Sequence, residues 1–84
     1  MEDYLEDIID SLERLEFIVD ADYYYRAMDD ATLYLSIDDD YHWYVDNPEG
    51  EIIDVIERSY DVTIRHIDWN DRSGSPVIEV DLIL

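Results

Sequence analysis

The sequence predicts an α+β domain of two layers, in which two helices cover an antiparallel or mixed sheet of about five strands. Two stretches have the helical spacing of apolar residues, and several short stretches have the alternation that is typical of strands. The predicted order is α-β-β-β-α-β-β, without a run of parallel βαβ units. The chain has 84 residues and no internal repeat, so we expect a single domain over residues 1–84.

The first predicted element is an amphipathic helix over residues 2–16. Its apolar stripe follows helical spacing and consists of Leu5, Ile8, Leu12 and Leu15. The opposite face begins with Glu2 and also holds five candidate partner-binding residues: Asp3, Glu6, Asp7, Asp10 and Glu13. Acids three or four positions apart on a helix repel one another mildly. This face is therefore either an ordinary solvated surface or a surface that binds a basic partner.

The stretch from Leu33 to Val45 is predicted to form the central hairpin of the sheet. Two groups of apolar residues alternate with other side chains, Leu33, Leu35 and Ile37 in the first arm and Tyr41, Trp43 and Val45 in the second. A strand over residues 23–28 precedes the hairpin and completes a three-stranded meander. The two turns of this meander concentrate aspartates that are candidate partner-binding residues: Asp29, Asp30, Asp38, Asp39 and Asp40.

Two tyrosines of the hairpin are candidate binding residues of a different kind. Tyr34 and Tyr44 fall on the face opposite the apolar one, beside the aspartates of the turn. Tyrosine surrounded by charge is a common composition of protein interfaces. Tyrosine also favours strands whose side chains stay partly wet, so a purely structural role is the alternative.

The second half of the chain predicts a helix and two strands. Asn47 can cap a helix that starts at Pro48 and runs to about Ser59. A strand over residues 60–69 and a loop over residues 70–76 follow. Residues 77–84 form the last strand, and apolar residues on both of its faces predict a central place in the sheet.

Charge is the most informative property of the composition. The chain has 24 Asp and Glu against five Arg and no Lys, which gives a formal net charge of −19. Apolar residues make up 48% of the chain, which is too many for a disordered polyanion. Such a surface repels nucleic acid and anionic membranes, and it attracts proteins whose own surfaces are basic. The absence of cysteine and of a long apolar run predicts a cytoplasmic location.

The sequence does not favour an enzyme, and we expect no cofactor and no metal site. A Gly-rich phosphate loop and a pair of His at metal-binding spacing are both missing. The stretch from Asp68 to Gly74 begins like a calcium loop, but Arg72 stands where an oxygen ligand is needed. His42 and His66 are predicted to be ordinary strand residues.

The acids of the first helix and of the two turns, the missing Lys and the compact α+β pattern together resemble one class of proteins. This class comprises the small acidic DNA-mimic proteins of phages and mobile elements, such as anti-CRISPR proteins, anti-restriction proteins and inhibitors of uracil-DNA glycosylase. The resemblance covers the whole chain but is one of composition and size. Since the class shares no motif, it assigns no role to any particular residue.

The resemblance implies an inhibitor that evades host defence in the bacterial cytoplasm. It would occupy the DNA- or RNA-binding groove of a defence or DNA-processing protein, with carboxylates in place of phosphates. A CRISPR effector is the favoured target, because inhibitors of these complexes are numerous and of this size.

The net charge is also compatible with two different roles. One is that of an acidic adaptor or chaperone for a basic protein. The second is adaptation to high salt, which also favours acidic proteins with little Lys. The many Ile and Tyr and the two Gly of this chain fit salt adaptation less well.

Overall fold

The computed structural model describes residues 4–72 and 75–84, and within them the predicted α+β class is confirmed. The elements in chain order are α1 (Tyr4–Glu13), β1 (Ile18–Ala27), β2 (Asp30–Ile37), a 3₁₀ turn (Tyr41–Trp43), α2 (Pro48–Ser59), β3 (Thr63–Arg72) and β4 (Ser75–Ile83). The described part of the chain therefore has four strands, whereas about five were predicted.

The strands of the described residues form one antiparallel sheet in the order β1-β2-β4-β3. The prediction that the last strand lies in the interior is confirmed, because β4 pairs with β2 on one side and β3 on the other. β1 and β3 are the two edges. Leu35 illustrates the register, since it lies opposite Ala21 on β1 and Ile78 on β4.

Both helices cover the same face of the sheet, and the core lies between the two layers. Alternate residues of the two inner strands are buried there: Ala31, Leu33, Leu35, Ile37, Ile78, Val80 and Leu82. The helices contribute apolar side chains that are also fully buried: Leu5, Ile8, Leu12, Ile52 and Ile56. Each large side chain buried in this way contributes about 1.5–3 kcal/mol to stability.

The second arm of the predicted hairpin is not a strand, so this part of the prediction is wrong. After β2 the chain forms the 3₁₀ turn at Tyr41–Trp43 and continues into α2. The reason is that β1 and β4 already pair with the two sides of β2. No edge of β2 is left for a hairpin partner, and a segment whose backbone pairs with no neighbouring strand does not form a strand. His42 consequently lies in the turn, whereas His66 lies on β3 as predicted.

Several element boundaries also differ from the prediction. β1 begins at Ile18 rather than at residue 23, and β3 and β4 extend into the predicted loop over residues 70–76. Pairing with the neighbouring strand holds these extensions, and this cannot be seen in the propensity of one segment. The predicted start of α2 is confirmed, since Asn47 Oδ1 accepts the Gly50 N–H at 3.1 Å.

Candidate partner-binding surface

The sheet face that the helices leave uncovered is rich in carboxylates, and we call it the open face. Residues in register on adjacent strands point to the same side of a sheet. Asp22, Tyr34, Glu79 and Asp68 are paired in this way and form a row across all four described strands. Asp20 and Asp81 share this face because they stand two positions from members of the row. These carboxylates are not among the predicted binding residues, although Glu79 and Asp81 alternate with apolar residues in the sequence.

The open face also holds an ion pair and an aromatic contact. Arg26 Nη1 lies 3.3 Å from Asp81 Oδ2. The other carboxylate oxygen of Asp81, Oδ1, accepts a hydrogen bond from Thr32 Oγ1 at 2.7 Å. The rings of Tyr24 and Tyr34 meet edge to face with 5.4 Å between their centroids. Tyr34 lies on the face opposite the core, where alternation placed it, and it is half-buried. The Tyr34 ring is in contact with the Tyr24 ring on the open face.

The turn between β1 and β2 presents less charge than the sequence suggests. The carboxylate of Asp30 is half-buried and pairs with Arg65 at 3.0 Å. Asp29 is exposed, and its carbonyl accepts the Leu84 N–H at 2.8 Å, which ties the turn to the C-terminal end of β4. Asp29 therefore offers its carboxylate to solvent, whereas Asp30 is already neutralised by a neighbour.

The other predicted cluster, Asp38–Asp40, forms an ordered link that we call the acidic turn. Asp38 holds it in shape, because its carboxylate accepts the Asp40 N–H at 3.0 Å and the Tyr44 O–H at 2.9 Å. The backbone hydrogen bond from Asp40, followed by the bond from Tyr44, lowers the pKa of Asp38 below its usual range. Asp39 and Asp40 are exposed, and among the described residues their carboxylates accept no hydrogen bond.

The two acidic clusters do not form a common site. They lie at opposite ends of β2, which has eight residues and so separates them by about 27 Å. Consecutive turns of an antiparallel meander necessarily lie at opposite ends of the strand that joins them.

Next to the acidic turn is a group of aromatic residues, Tyr41–Tyr44, that we call the aromatic turn. Tyr41 is stacked on Trp69 of β3, with 5.4 Å between the ring centroids, and Trp69 Nε1–H donates to Glu49 Oε1 at 2.8 Å. Trp43 instead points away from the core and is 79% exposed. Trp43 is not among the predicted binding residues, because alternation in the predicted hairpin placed it on the apolar face.

Tyr44 links the aromatic turn to the acidic turn. Its side chain is 47% exposed, and its hydroxyl donates to Asp38. The partial loss of solvent around the phenol raises the pKa of Tyr44, and its bond to Asp38 and the charges of Asp38, Glu16 and Asp40 raise it further. The phenol therefore keeps its proton, and the hydrogen bond, throughout the physiological pH range.

The acidic face of α1 is a separate surface. Its described members Glu6, Asp7, Asp10 and Glu13 are all exposed, and Asp3 lies outside the described residues. Tyr60, which follows α2, fixes this helix. Its hydroxyl donates to the Asp7 carbonyl at 2.8 Å and lies 2.7 Å from Ser11 Oγ. The carboxylates of this face thus project from a helix that is anchored on its inner side.

The described residues show neither a metal-binding cluster nor a membrane-spanning helix. No three Asp, Glu or His residues within 4–72 and 75–84 are grouped so that they could hold a metal ion. None of the helices in these ranges has the length and apolar character needed to cross a membrane. Comparisons of the chain with protein-family models, curated proteins and solved structures found no match.

Proposed function

We propose that this protein is a nucleic-acid mimic that binds the basic groove of a DNA- or RNA-binding protein, with a CRISPR effector as the first target to test. One observation supports the proposal above all others. Carboxylates project from α1, from the open face of the sheet and from the acidic turn, so that widely separated parts of the described surface have the same sign. A basic groove that binds nucleic acid attracts such a surface by the forces that attract phosphates.

Three of the five arginines do not add free positive charge to this surface. They pair with acids of the same chain: Arg26 with Asp81, Arg58 with Asp54, and Arg65 with Asp30. An exposed ion pair such as that of Arg58 with Asp54 contributes only about 0–1 kcal/mol to stability. The main effect of the three pairs at long range is to cancel the positive charge, which leaves the excess acids to set the field around the molecule.

The carboxylates are also held at regular spacing by the backbone. On the open face, the backbones of Asp68 and Glu79 on adjacent strands are about 4.8 Å apart, and Glu79 and Asp81, two positions apart on β4, are separated by about 6.7 Å. The acids of α1 are about 5–6 Å from their neighbours three or four positions away. An array held on rigid elements loses little conformational entropy on binding, which favours a partner with an array of Arg and Lys.

A competition experiment tests the proposal directly. Labelled target DNA is bound to a guide-loaded CRISPR effector, and this protein is titrated into the complex at about 50 and 200 mM salt. We expect displacement of the DNA, with a weaker effect at the higher salt because charge drives the association. Effectors of several types, a restriction enzyme and a uracil-DNA glycosylase form the panel of targets.

The control is a pair of variants, each of which reverses three acids on one surface. The first variant, Asp22→Lys/Asp68→Lys/Glu79→Lys, reverses the three acids of the row on the open face. The second variant, Glu6→Lys/Asp10→Lys/Glu13→Lys, reverses three acids of α1 and changes the net charge by the same amount. Loss of competition in one of them identifies the surface that contacts the groove. Simultaneous binding of the DNA and this protein to every member of the panel contradicts mimicry, and it favours an adaptor or chaperone that binds elsewhere on a basic protein.

A further inference from the structure

Trp43 is the feature that the fold itself does not explain. Its indole is 79% exposed and lies tilted against the His42 ring, with 5.5 Å between the centroids, whereas Trp69 is half-buried and stacked on Tyr41. Burial of a large apolar side chain stabilises a fold, and an exposed indole does not contribute this stabilisation. Large aromatic residues that project from a surface are the typical anchors of protein interfaces.

The backbone around Trp43 is held rigidly in place. The N–H groups of Tyr44 and Val45 both donate to the Tyr41 carbonyl, at 3.0 and 2.8 Å, and Val45 is buried in the core. At the other end the Asp38 N–H donates to the Phe17 carbonyl at 2.8 Å. The indole is therefore presented by a turn whose backbone is fixed at both ends, so little backbone entropy is lost when a partner covers it.

The charged residues on either side of the indole indicate which chemical group of a partner would bind there. Asp39 and Asp40 precede the aromatic turn and Asp46 follows it, and all three are exposed. The face of an indole attracts cations, and neighbouring carboxylates accept hydrogen bonds from the same cation. Among protein cations a guanidinium fits best, because its plane stacks on an aromatic ring while its edge donates hydrogen bonds.

We infer that the aromatic turn is the anchor of the interface, and that Trp43 stacks against an arginine side chain in the partner's basic groove. This inference rests on the proposed function, since the groove supplies the arginine. Asp39 and Asp40 accept hydrogen bonds from the edge of the guanidinium. Asp38 acts through its neighbours in the turn, because it holds the turn in shape by its bonds to the Asp40 N–H and the Tyr44 O–H.

The test uses nona-arginine as the probe and nona-lysine as the comparison, and follows the two indole N–H signals by NMR. We expect nona-arginine to shift the Trp43 signal strongly. The Trp69 signal, whose N–H donates to Glu49, is expected to change little. Equal shifts of both signals, or an equal effect of nona-lysine on Trp43, would overturn the assignment of an arginine site at this turn.

Variants separate stacking from general apolar contact. Trp43→Ala and Trp43→Leu are both expected to weaken nona-arginine binding about two- to five-fold, the size of an exposed cation–π interaction. Met28→Ala is the matched control, because Met28 is 97% exposed beside Asp29 but is not aromatic. The Met28→Ala variant is expected to bind nona-arginine with the same affinity as the parent. If Trp43→Leu retains full affinity, or if Met28→Ala loses as much, the inference is wrong.

The outcome can be distinguished from that of the proposed function. If the parent does not displace DNA from any effector but nona-arginine still binds at Trp43, mimicry fails and the arginine site stands. If the parent displaces DNA and Trp43→Ala displaces it equally well, the proposed mimicry is supported and the assignment of Trp43 as the anchor is wrong. Thermal unfolding of each variant confirms that an exposed residue was removed without loss of the fold.

Discussion

The two faces of the sheet are made by the same strands but have opposite chemistry. On the covered face, Leu33, Leu35 and Val80 are fully buried beneath the helices. On the open face, Asp22 and Glu79 lie in register with Tyr34 and remain in contact with solvent. In the two inner strands, alternate residues therefore serve stability, and acids among the residues between them contribute to the surface charge.

This separation explains how a small domain tolerates a net charge of −19. Repulsion between carboxylates destabilises the compact state, but it acts through water, where it is weak and screened. Burial of the covered face is not affected by that repulsion. The acids can thus be arranged for a partner while the core remains entirely apolar, and substitutions on the two faces should differ in size and in sign.

The largest expected effect is on the covered face. Leu35→Ala removes a fully buried side chain from an inner strand and should destabilise the fold by about 2–5 kcal/mol. Its neighbour Ser36 is half-buried and points to the open face, so Ser36→Ala should change stability by about 0.5 kcal/mol or less. Urea unfolding of both variants measures the two changes in the free energy of unfolding. Similar losses for both would contradict the assignment of the two faces.

A smaller effect of opposite sign is expected on the open face. Asp68 and Glu79 lie directly opposite each other on β3 and β4, and like charges in this position are destabilising. Asp68→Asn should therefore stabilise the fold by about 0.2–1 kcal/mol in low salt, with a smaller gain in high salt. Asp54→Asn is the control, because it removes an acid that pairs with Arg58. That variant should be neutral or slightly destabilised, and a loss of stability in Asp68→Asn would count against repulsion.

The smallest expected effect concerns the acidic turn. Because the pKa of Asp38 is lowered in the folded state, its contribution to stability is complete above the ordinary aspartate pKa of about 3.9. The contribution is lost as the pH falls through the lower value of the folded protein. Tyr44→Phe removes one of the two hydrogen bonds to Asp38 and should raise the pKa of its carboxyl.

An NMR titration of the side-chain carboxyl carbons between about pH 1.5 and 6 measures this change. Tyr24→Phe is the control, since Tyr24 donates to Asp22 on the open face and should leave the Asp38 midpoint unchanged. An Asp38 midpoint that is the same in the parent and in Tyr44→Phe would show that the Tyr44 hydroxyl does not hold the acidic turn.

Local chemistry was sufficient to predict the helices and the alternation of the strands. Asn47 and Pro48 start α2 through a cap and a fixed backbone angle, and both effects act within a few residues. The apolar stripe of α1 from Leu5 to Leu12 is buried as its spacing predicts. The apolar residues on both faces of β4 also predicted its interior place, and β4 does lie between β2 and β3.

Only the tertiary structure decided which segments pair and which side chains are left at the surface. Residues 41–45 alternate like a strand, but β4 occupies the side of β2 on which they would have paired. That competition between distant segments turns the chain at Tyr41 and places Trp43 in solvent. The register between strands likewise aligned Asp22, Glu79 and Asp68, which are far apart in the sequence. Composition determined that the surface is acidic, whereas long-range pairing determined where its carboxylates and its exposed indole stand.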